Sequence, residues 1–428
     1  MINLYPHQRE ALQETEGLQN IGVYHDMGLG KTFTGSEMMK RFNCKTNIVV
    51  CQKSKIDDWM NHFYKYYSCE LITFDLTIPE ELVGFLGGEE SDVHRVGVIN
   101  YDLMWRRPEL LKLKDFVLML DESSLIQHPK SKRTKFVLKL KPSHTILLSG
   151  TPVGGKYENL WTQIHLLGWG ISKRVYEQQY VNWDTIRIGR MKHKVVSKTK
   201  PYKNVERLKT KMREYGAIFK KTEECYELPA QIDVPVIIEP PKEYRRFLKN
   251  RIVTVEGNEL VGDTSLTKLL YARQLCSQYN KQKLKALSDL IESTGERVII
   301  FYSFNDELEK IKAICEDLER PVSEINGHRK DLKAYEEESD SVTLCQYQSA
   351  SKGLNLQKCN RIIYFSLPLS SEDFEQSKKR IHRIGQEKTC FYYLMVCRNT
   401  VEKEIQKVLE KRKDYTDELF KKTYETCR

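Results

Sequence analysis

The chain contains no apolar run approaching about 18 residues, so a membrane-spanning helix is excluded. It has no internal repeat and no low-complexity stretch. Its 11 cysteines are an odd number, are scattered, and never form a Cys-x-x-Cys pair. That argues against a zinc site and against a disulfide framework, and leaves reduced thiols, mostly in cores. Met1–His7 reads MINLYPH, without a basic region leading into an apolar one, so no signal peptide is expected. These absences lead to an expectation of an intracellular, cytoplasmic or nucleus-associated protein. No base stands beside a serine or cysteine in a recognisable pattern, so nucleophilic catalysis has no support.

What is present suits two domains. The chain has 428 residues, 40% hydrophobic and 30% charged, too many for one ordinary core. The net charge of +10 is unevenly placed: Arg187–Lys221 holds 13 lysines and arginines but only two acids, Glu206 and Glu214. A concentrated basic stretch is the footprint of a polyanionic partner, although most charge runs are only solvated faces.

Short, nearly continuous apolar runs alternate with helical patterns, as in parallel α/β sheets covered on both faces. In the first half they are Asn47–Cys51, Val96–Tyr101, Phe116–Leu120 and Thr145–Ser149. In the second they are Val298–Tyr302, Val342–Tyr347, Arg361–Phe365 and Phe391–Val396. The expected organisation is therefore α/β, with two parallel-sheet lobes. Residues 1–225 form the first lobe and include a polar, basic, helix-leaning segment at 171–225. Residues 226–242, with Pro229, Pro235, Pro240 and Pro241, form a stiff linker. Residues 243–399 form the second lobe and 400–428 a C-terminal helix.

Asp26–Thr32 reads DMGLGKT between a strand-like run and a helical one, the context of a phosphate-binding loop. Gly28 and Gly30 let backbone N–H groups crowd around phosphate oxygens at a helix N-terminus. Lys31 would reach the β and γ phosphates of ATP, and Thr32 would hold Mg²⁺. The full pattern asks for glycine at position 25, where this chain has His25. In Leu118–Leu125 (LMLDESSL) an apolar strand delivers Asp121, fit to hold Mg²⁺, and Glu122, fit to activate water. Gln376–Gln386 reads QSKKRIHRIGQ, which places Arg380 and Arg383 three apart, on one side of an expected helix. Such arginines suit the charge on a transferring phosphoryl group.

Together these segments resemble the Swi/Snf family of helicase-superfamily-2 ATPases over nearly the whole chain. Leu4–Leu12 is similar to the family's adenine-reading segment, which implies an adenine contact for Gln8. Ile48–Trp59 and Ile99–Asp102 resemble motifs Ia and Ib, and Asp121–Ser124 stands where the family has DEAH, with its last two letters changed. Leu147–Pro152 (LLSGTP) resembles motif III, which implies coupling roles for Ser149 and Thr151. Ser349–Leu356 resembles motif V, which implies nucleic-acid contacts for Ser349 and Gly353. Gln376–Gln386 resembles motif VI, which implies that Gln376, Arg380 and Arg383 serve the nucleotide site. Lys220 and Lys221 stand where the family has paired arginines.

The resemblance implies two RecA-like lobes that form a minimal, monomeric motor of viral or bacterial type. It implies a DNA-dependent ATPase, with ATP and Mg²⁺, that moves along double-stranded DNA. Lys192, Lys194 and Lys198 are expected to touch DNA on charge alone. A strand-separating DNA or RNA helicase remains the alternative, since Arg187–Lys200 could form a separating hairpin. An inactive, nucleic-acid-binding motor is a third reading. Protein partners are not legible.

Overall fold

A computed structural model describes residues 2–87, 93–188, 191–350 and 354–420. It divides into two compact units, Met1–Cys225 with Asp414–Arg428, and Tyr226–Lys413. Among the described residues no helix is long and apolar enough to cross a membrane.

The first unit is built on a seven-stranded, all-parallel sheet. Its strands are β1 (Asn20–His25), β2 (Thr46–Cys51), β3 (Leu71–Asp75), β4 (His94–Asn100), β5 (Phe116–Asp121), β6 (His144–Leu148) and β9 (Ala217–Lys220), in the order β3-β4-β2-β5-β6-β1-β9. Successive side chains face opposite layers. Ile48, Val50, Leu118 and Leu120 enter one core, whereas Val49, Cys51, Val117 and Met119 enter the other. Each fully buried aliphatic side chain of this kind contributes roughly 1.5–3 kcal/mol. Helices α1 (Pro6–Glu14), α2 (Lys31–Phe42) and α3 (Ile56–Tyr67) belong to this unit.

The basic segment is less helical than expected. Helices Lys173–Tyr180 and Val205–Glu214 flank an antiparallel hairpin, β7 (Trp183–Ile188) with β8 (Met191–Val196), and β9 then joins the main sheet. At β9, pairing with the main sheet decides over local propensity. Gly216, at φ 86°, brings the chain so close to β1 that a Cβ would lie 2.3 Å from the Asn20 carbonyl oxygen.

The second unit has its own seven-stranded sheet, in the order β10-β18-β17-β13-β16-β14-β15. The strands are β10 (Gln231–Ile238), β13 (Val298–Tyr302), β14 (Val322–Ile325), β15 (Lys330–Asp331), β16 (Val342–Gln346), β17 (Arg361–Tyr364) and β18 (Cys390–Cys397); a separate hairpin pairs β11 (Ile252–Val255) with β12 (Asn258–Val261). All neighbours in the large sheet are parallel except β14 and β15. Residues 231–238 are therefore a strand and not a linker. Pro235 is tolerated because β10 lies on the sheet edge, where a missing N–H breaks no ladder.

The last turns of the C-terminal helix, Val401–Phe420, belong to the first unit from Asp414 onward. Tyr157 Oη donates to the Tyr415 carbonyl at 2.6 Å, and Lys221 pairs with Asp417 at 2.7 Å. The ten described cysteines are all free, and most are buried, as reduced core thiols would be.

Candidate active site

The loop between β1 and α2 is held open by its backbone. Gly28 and Gly30 have φ of 89° and 67°, a region costly for other residues. A Cβ on Gly30 would also lie 2.5 Å from Gln8 Nε2. Position 25 needs no glycine, because His25 is the last residue of β1 and not part of the turn. Burial, and then the Lys31 charge, lower the His25 pKa to about 3, so the ring is neutral.

Lys31 Nζ donates to the His25 and Asp26 carbonyls at 2.8 and 3.0 Å, which places the ammonium inside the loop. Thr32 follows in the first turn of α2. The floor comes from α1: Gln8 Nε2 donates to the Gly30 carbonyl at 3.0 Å, and His7 Nε2 lies 2.9 Å from that of Leu29. Gln8, expected to contact adenine, here bonds the backbone of the phosphate-binding loop. From the other side, Asp26 Oδ2 accepts from Thr222 N and Oγ1, both at 3.2 Å. Lys220 pairs with Glu10 at 2.7 Å. The two lysines that precede Thr222 are thus engaged in ion pairs within this unit.

β5 ends at Asp121, on the same edge of the sheet as the loop. Trp59 Nε1, on α3, donates to Asp121 Oδ2 at 2.9 Å, and Tyr101 Oη donates to the Asp121 carbonyl at 2.8 Å. Burial raises the Asp121 pKa; the Trp59 hydrogen bond and the Lys31 charge act against that rise. Glu122 adopts φ 55° and ψ 57°, a left-handed conformation uncommon for a glutamate. Hard oxygen donors from Thr32 and Asp121 suit Mg²⁺, which is usually held by one or two protein oxygens plus phosphates.

Ser149 is buried beyond β6, its N–H bonded to the Val23 carbonyl at 3.2 Å and its Oγ accepting from Thr151 N at 3.2 Å. Thr151 stands beside it, with a shielded hydroxyl.

In the second unit the helix Ser371–Lys378 carries Gln376, which bonds Glu372 at 3.4 Å. It ends before Arg380 and Arg383, so these residues do not share a helical face. The chain is drawn away into turns: the Arg380 carbonyl accepts from Leu356 N at 3.1 Å, and Gln386 Nε2 donates to the Gln357, Cys359 and Ile381 carbonyls. Arg380 is 1% exposed and donates to the Leu354 carbonyl at 3.3 Å. Arg383 is half-buried and donates to Asn355 Oδ1. Ser349 lies in the short helix Tyr347–Ala350, and Gly353 lies outside the described residues.

Lys192 and Lys194 stand exposed on β8, with Lys198 beyond it. Lys194 is partly engaged, 4.3 Å from the Trp183 ring centre and 3.9 Å from Glu177. A cluster not expected from the sequence joins Cys276, Cys397 and Glu402, three potential metal ligands, all buried. Lys283 Nζ lies 2.7 Å from Glu402, so an ammonium already supplies positive charge there. Sequence reasoning also missed the Trp59 contact, Tyr101 and the buried Gln163. Trp59 and Tyr101 carried a signal, their places in motif-like segments, whereas Gln163 carried none.

A family model described as SNF2-related domain matches residues 12–284, and one described as Helicase conserved C-terminal domain matches residues 282–385. The chain belongs to the SNF2-related family. It is 23% identical to an uncharacterized ATP-dependent helicase of Mycoplasma pneumoniae, over 97% of this chain and 42% of that protein. It is 23% identical to the SWI/SNF-related matrix-associated actin-dependent regulator of chromatin subfamily A-like protein 1 of Xenopus laevis, over 96% of this chain and 43% of that one. The chain thus spans a little over two-fifths of the length of these relatives. Among solved structures it is similar to the Sulfolobus solfataricus SWI2/SNF2 ATPase core in complex with dsDNA, with 21% identity, a TM-score of 0.45, and coverage of 97% of this chain and 92% of that one.

Proposed function

We propose that this SNF2-related chain is a DNA-dependent ATPase that converts ATP hydrolysis into movement along double-stranded DNA, and so remodels DNA or protein–DNA complexes. The observation that carries the reading is one sheet edge that presents Lys31 in a phosphate-binding loop and Asp121 and Glu122 at the end of β5. Lys31 would neutralise β and γ phosphates, and Glu122 would orient and deprotonate the attacking water. Thr32 and Asp121 would hold Mg²⁺, which when bound supplies positive charge to the phosphate oxygens. Gln8 supports the loop on the side where adenine is expected. Arg383 of the second unit is the arginine better exposed for phosphate contact, and Arg380 braces the segment that carries it. The basic residues of 187–221, Lys192 and Lys198 among them, would meet DNA phosphates. The chromatin regulator among the relatives is consistent with a DNA partner.

Strand separation is the second reading, favoured by one observation: β7 and β8 form an antiparallel hairpin with basic residues near its end. ATP hydrolysis should be measured with no nucleic acid, duplex DNA, single-stranded DNA and RNA, with Lys31→Ala as control. Stimulation by duplex that Lys31→Ala abolishes supports translocation. Stimulation only by single strands or RNA supports unwinding, and no hydrolysis at all overturns both.

A further inference from the structure

Gln163 lies on the helix Trp161–Leu166, outside every segment that resembles a motif, and is completely buried. Its carboxamide touches three elements of the candidate site. Tyr24 Oη, from the penultimate residue of β1, donates to Gln163 Oε1 at 3.0 Å. Ser123 Oγ, from the residue after Glu122, donates to the same oxygen at 3.0 Å. Gln163 Nε2 donates to the carbonyl of Pro152, the last residue of LLSGTP. Tyr24 and Ser123 are also fully buried. Both lone pairs of the oxygen are thus used, and the nitrogen is tied to the segment that follows β6.

The strained residue is Glu122. A non-glycine residue persists in the left-handed region only where its surroundings over-determine it. Here both neighbours are tied down: Tyr101 holds the Asp121 carbonyl, and Gln163 holds the Ser123 hydroxyl. Ser123 is one of the two positions at which DESS departs from DEAH, and the hydroxyl that this departure introduces is the group Gln163 uses. A low-dielectric interior strengthens such a network and penalises its partial loss.

We infer that Gln163 is a positioning residue for hydrolysis: through Ser123 it fixes the Glu122 carboxylate, and through Pro152 it ties that carboxylate to the Ser149–Thr151 segment. The inference rests on the ATPase reading above. It assigns Gln163 no contact with nucleotide. Binding of ATP should therefore survive its loss, whereas turnover should not.

The test is a double-mutant cycle on the full chain with Ser123→Ala and Gln163→Leu, with Lys31→Ala as the blank. Four readouts are taken: kcat, KM for ATP, affinity for a fluorescent ATP analogue, and backbone hydrogen exchange across 120–126. Ser123→Ala is the gentle arm, since it removes one hydroxyl and leaves Gln163 bonded to Tyr24 and Pro152. Each single variant is expected to lower kcat by roughly tenfold to a hundredfold, the scale of a misplaced catalytic group. KM and analogue affinity should hold, exchange across 120–126 should rise, and the double variant should lose no more than Gln163→Leu alone. Gln163→Glu gives a further signature. It keeps both hydroxyl bonds but can donate to the Pro152 carbonyl only when its new carboxyl is protonated. Its kcat relative to wild type should therefore recover as pH falls. Independent, multiplying losses would overturn the inference, as would unchanged kcat in Ser123→Ala and Gln163→Leu beside an active wild type. An inactive wild type would instead overturn the ATPase reading on which it stands.

Discussion

Trp59 Nε1 donates to Asp121 Oδ2 at 2.9 Å, across 62 positions of sequence. The bond leaves the carboxylate one defined orientation and opposes the cost of burying its charge. Trp59→Phe keeps most of the packing and removes the donor. Partners that orient metal-binding carboxylates are worth about 10–100-fold in metal affinity. Magnesium titration of ATP hydrolysis should show the half-maximal concentration rising by that order in Trp59→Phe. An unchanged titration would reduce Trp59 to a core side chain.

Arg380 and Arg383 are three residues apart but differ in surroundings, and their substitutions should fail in different ways. Arg383 is half-buried on Asn355, so Arg383→Ala should cost about 10³ in kcat, the scale of a lost arginine finger, with little change in unfolding. Arg380 is 1% exposed and bonded to the Leu354 carbonyl. Arg380→Ala should cost about 1–3 kcal/mol in urea unfolding, because it leaves buried backbone unpaired. Equal effects on stability would contradict this division.

The sequence legible at the site was the part whose chemistry is local. DMGLGKT needs its glycines and lysine to be adjacent, and LMLDE shows an apolar strand that ends in acids, so both could be placed. Tyr24, Ser123, Pro152 and Gln163 meet from four separate segments, and no local pattern encodes such a meeting. β2 and β5 were visible because both faces are buried. β3, half-exposed at Leu71–Asp75, lacked that continuous apolar signature. β10 was hidden by Pro235, whose edge position is a property of the assembled sheet. The helix expected to carry both arginines ended early because Gln386 and Leu356 pull the chain elsewhere, a tertiary effect that spacing cannot reveal.

His25 should make the first unit acid-sensitive. Its pKa is about 3 in the folded chain against an ordinary 6.5, lowered by burial and then by Lys31. Between these values the unfolded chain binds the proton that the folded chain refuses. Stability from this group is therefore complete above pH 6.5 and is lost as pH falls toward 3, by about 2 kcal/mol at pH 5. Burial lowers the His62 pKa to about 4, which acts in the same direction. Urea midpoints at pH 7.5 and 5.0 should fall further apart in wild type than in His25→Gln.

Lys283 and Glu402 form a fully buried ion pair at 2.7 Å. Removing one partner strands the other in the core. Lys283→Met should therefore cost about 3–5 kcal/mol. Urea unfolding of the second unit would show it. A neutral result would mean that Glu402 simply takes up a proton in compensation.

The β7–β8 hairpin places Arg187 directly opposite Lys192. Like charges across a strand pair destabilise it, so the arrangement is costly unless an anion lies against that face. Lys194, next along the same face, is already stacked on Trp183 and close to Glu177. The three cations should therefore contribute unequally to DNA affinity. Arg187→Glu and Lys192→Glu should each weaken duplex binding and lower the slope of log Kd against log salt by about one for each phosphate no longer neutralised. Lys194→Glu should do less, and Lys198→Glu, beyond the strand, tests how far the DNA path runs. Binding curves at several salt concentrations decide the matter. If all four variants bind like wild type, with the same slope, the hairpin is a solvated face, and the DNA must be held elsewhere.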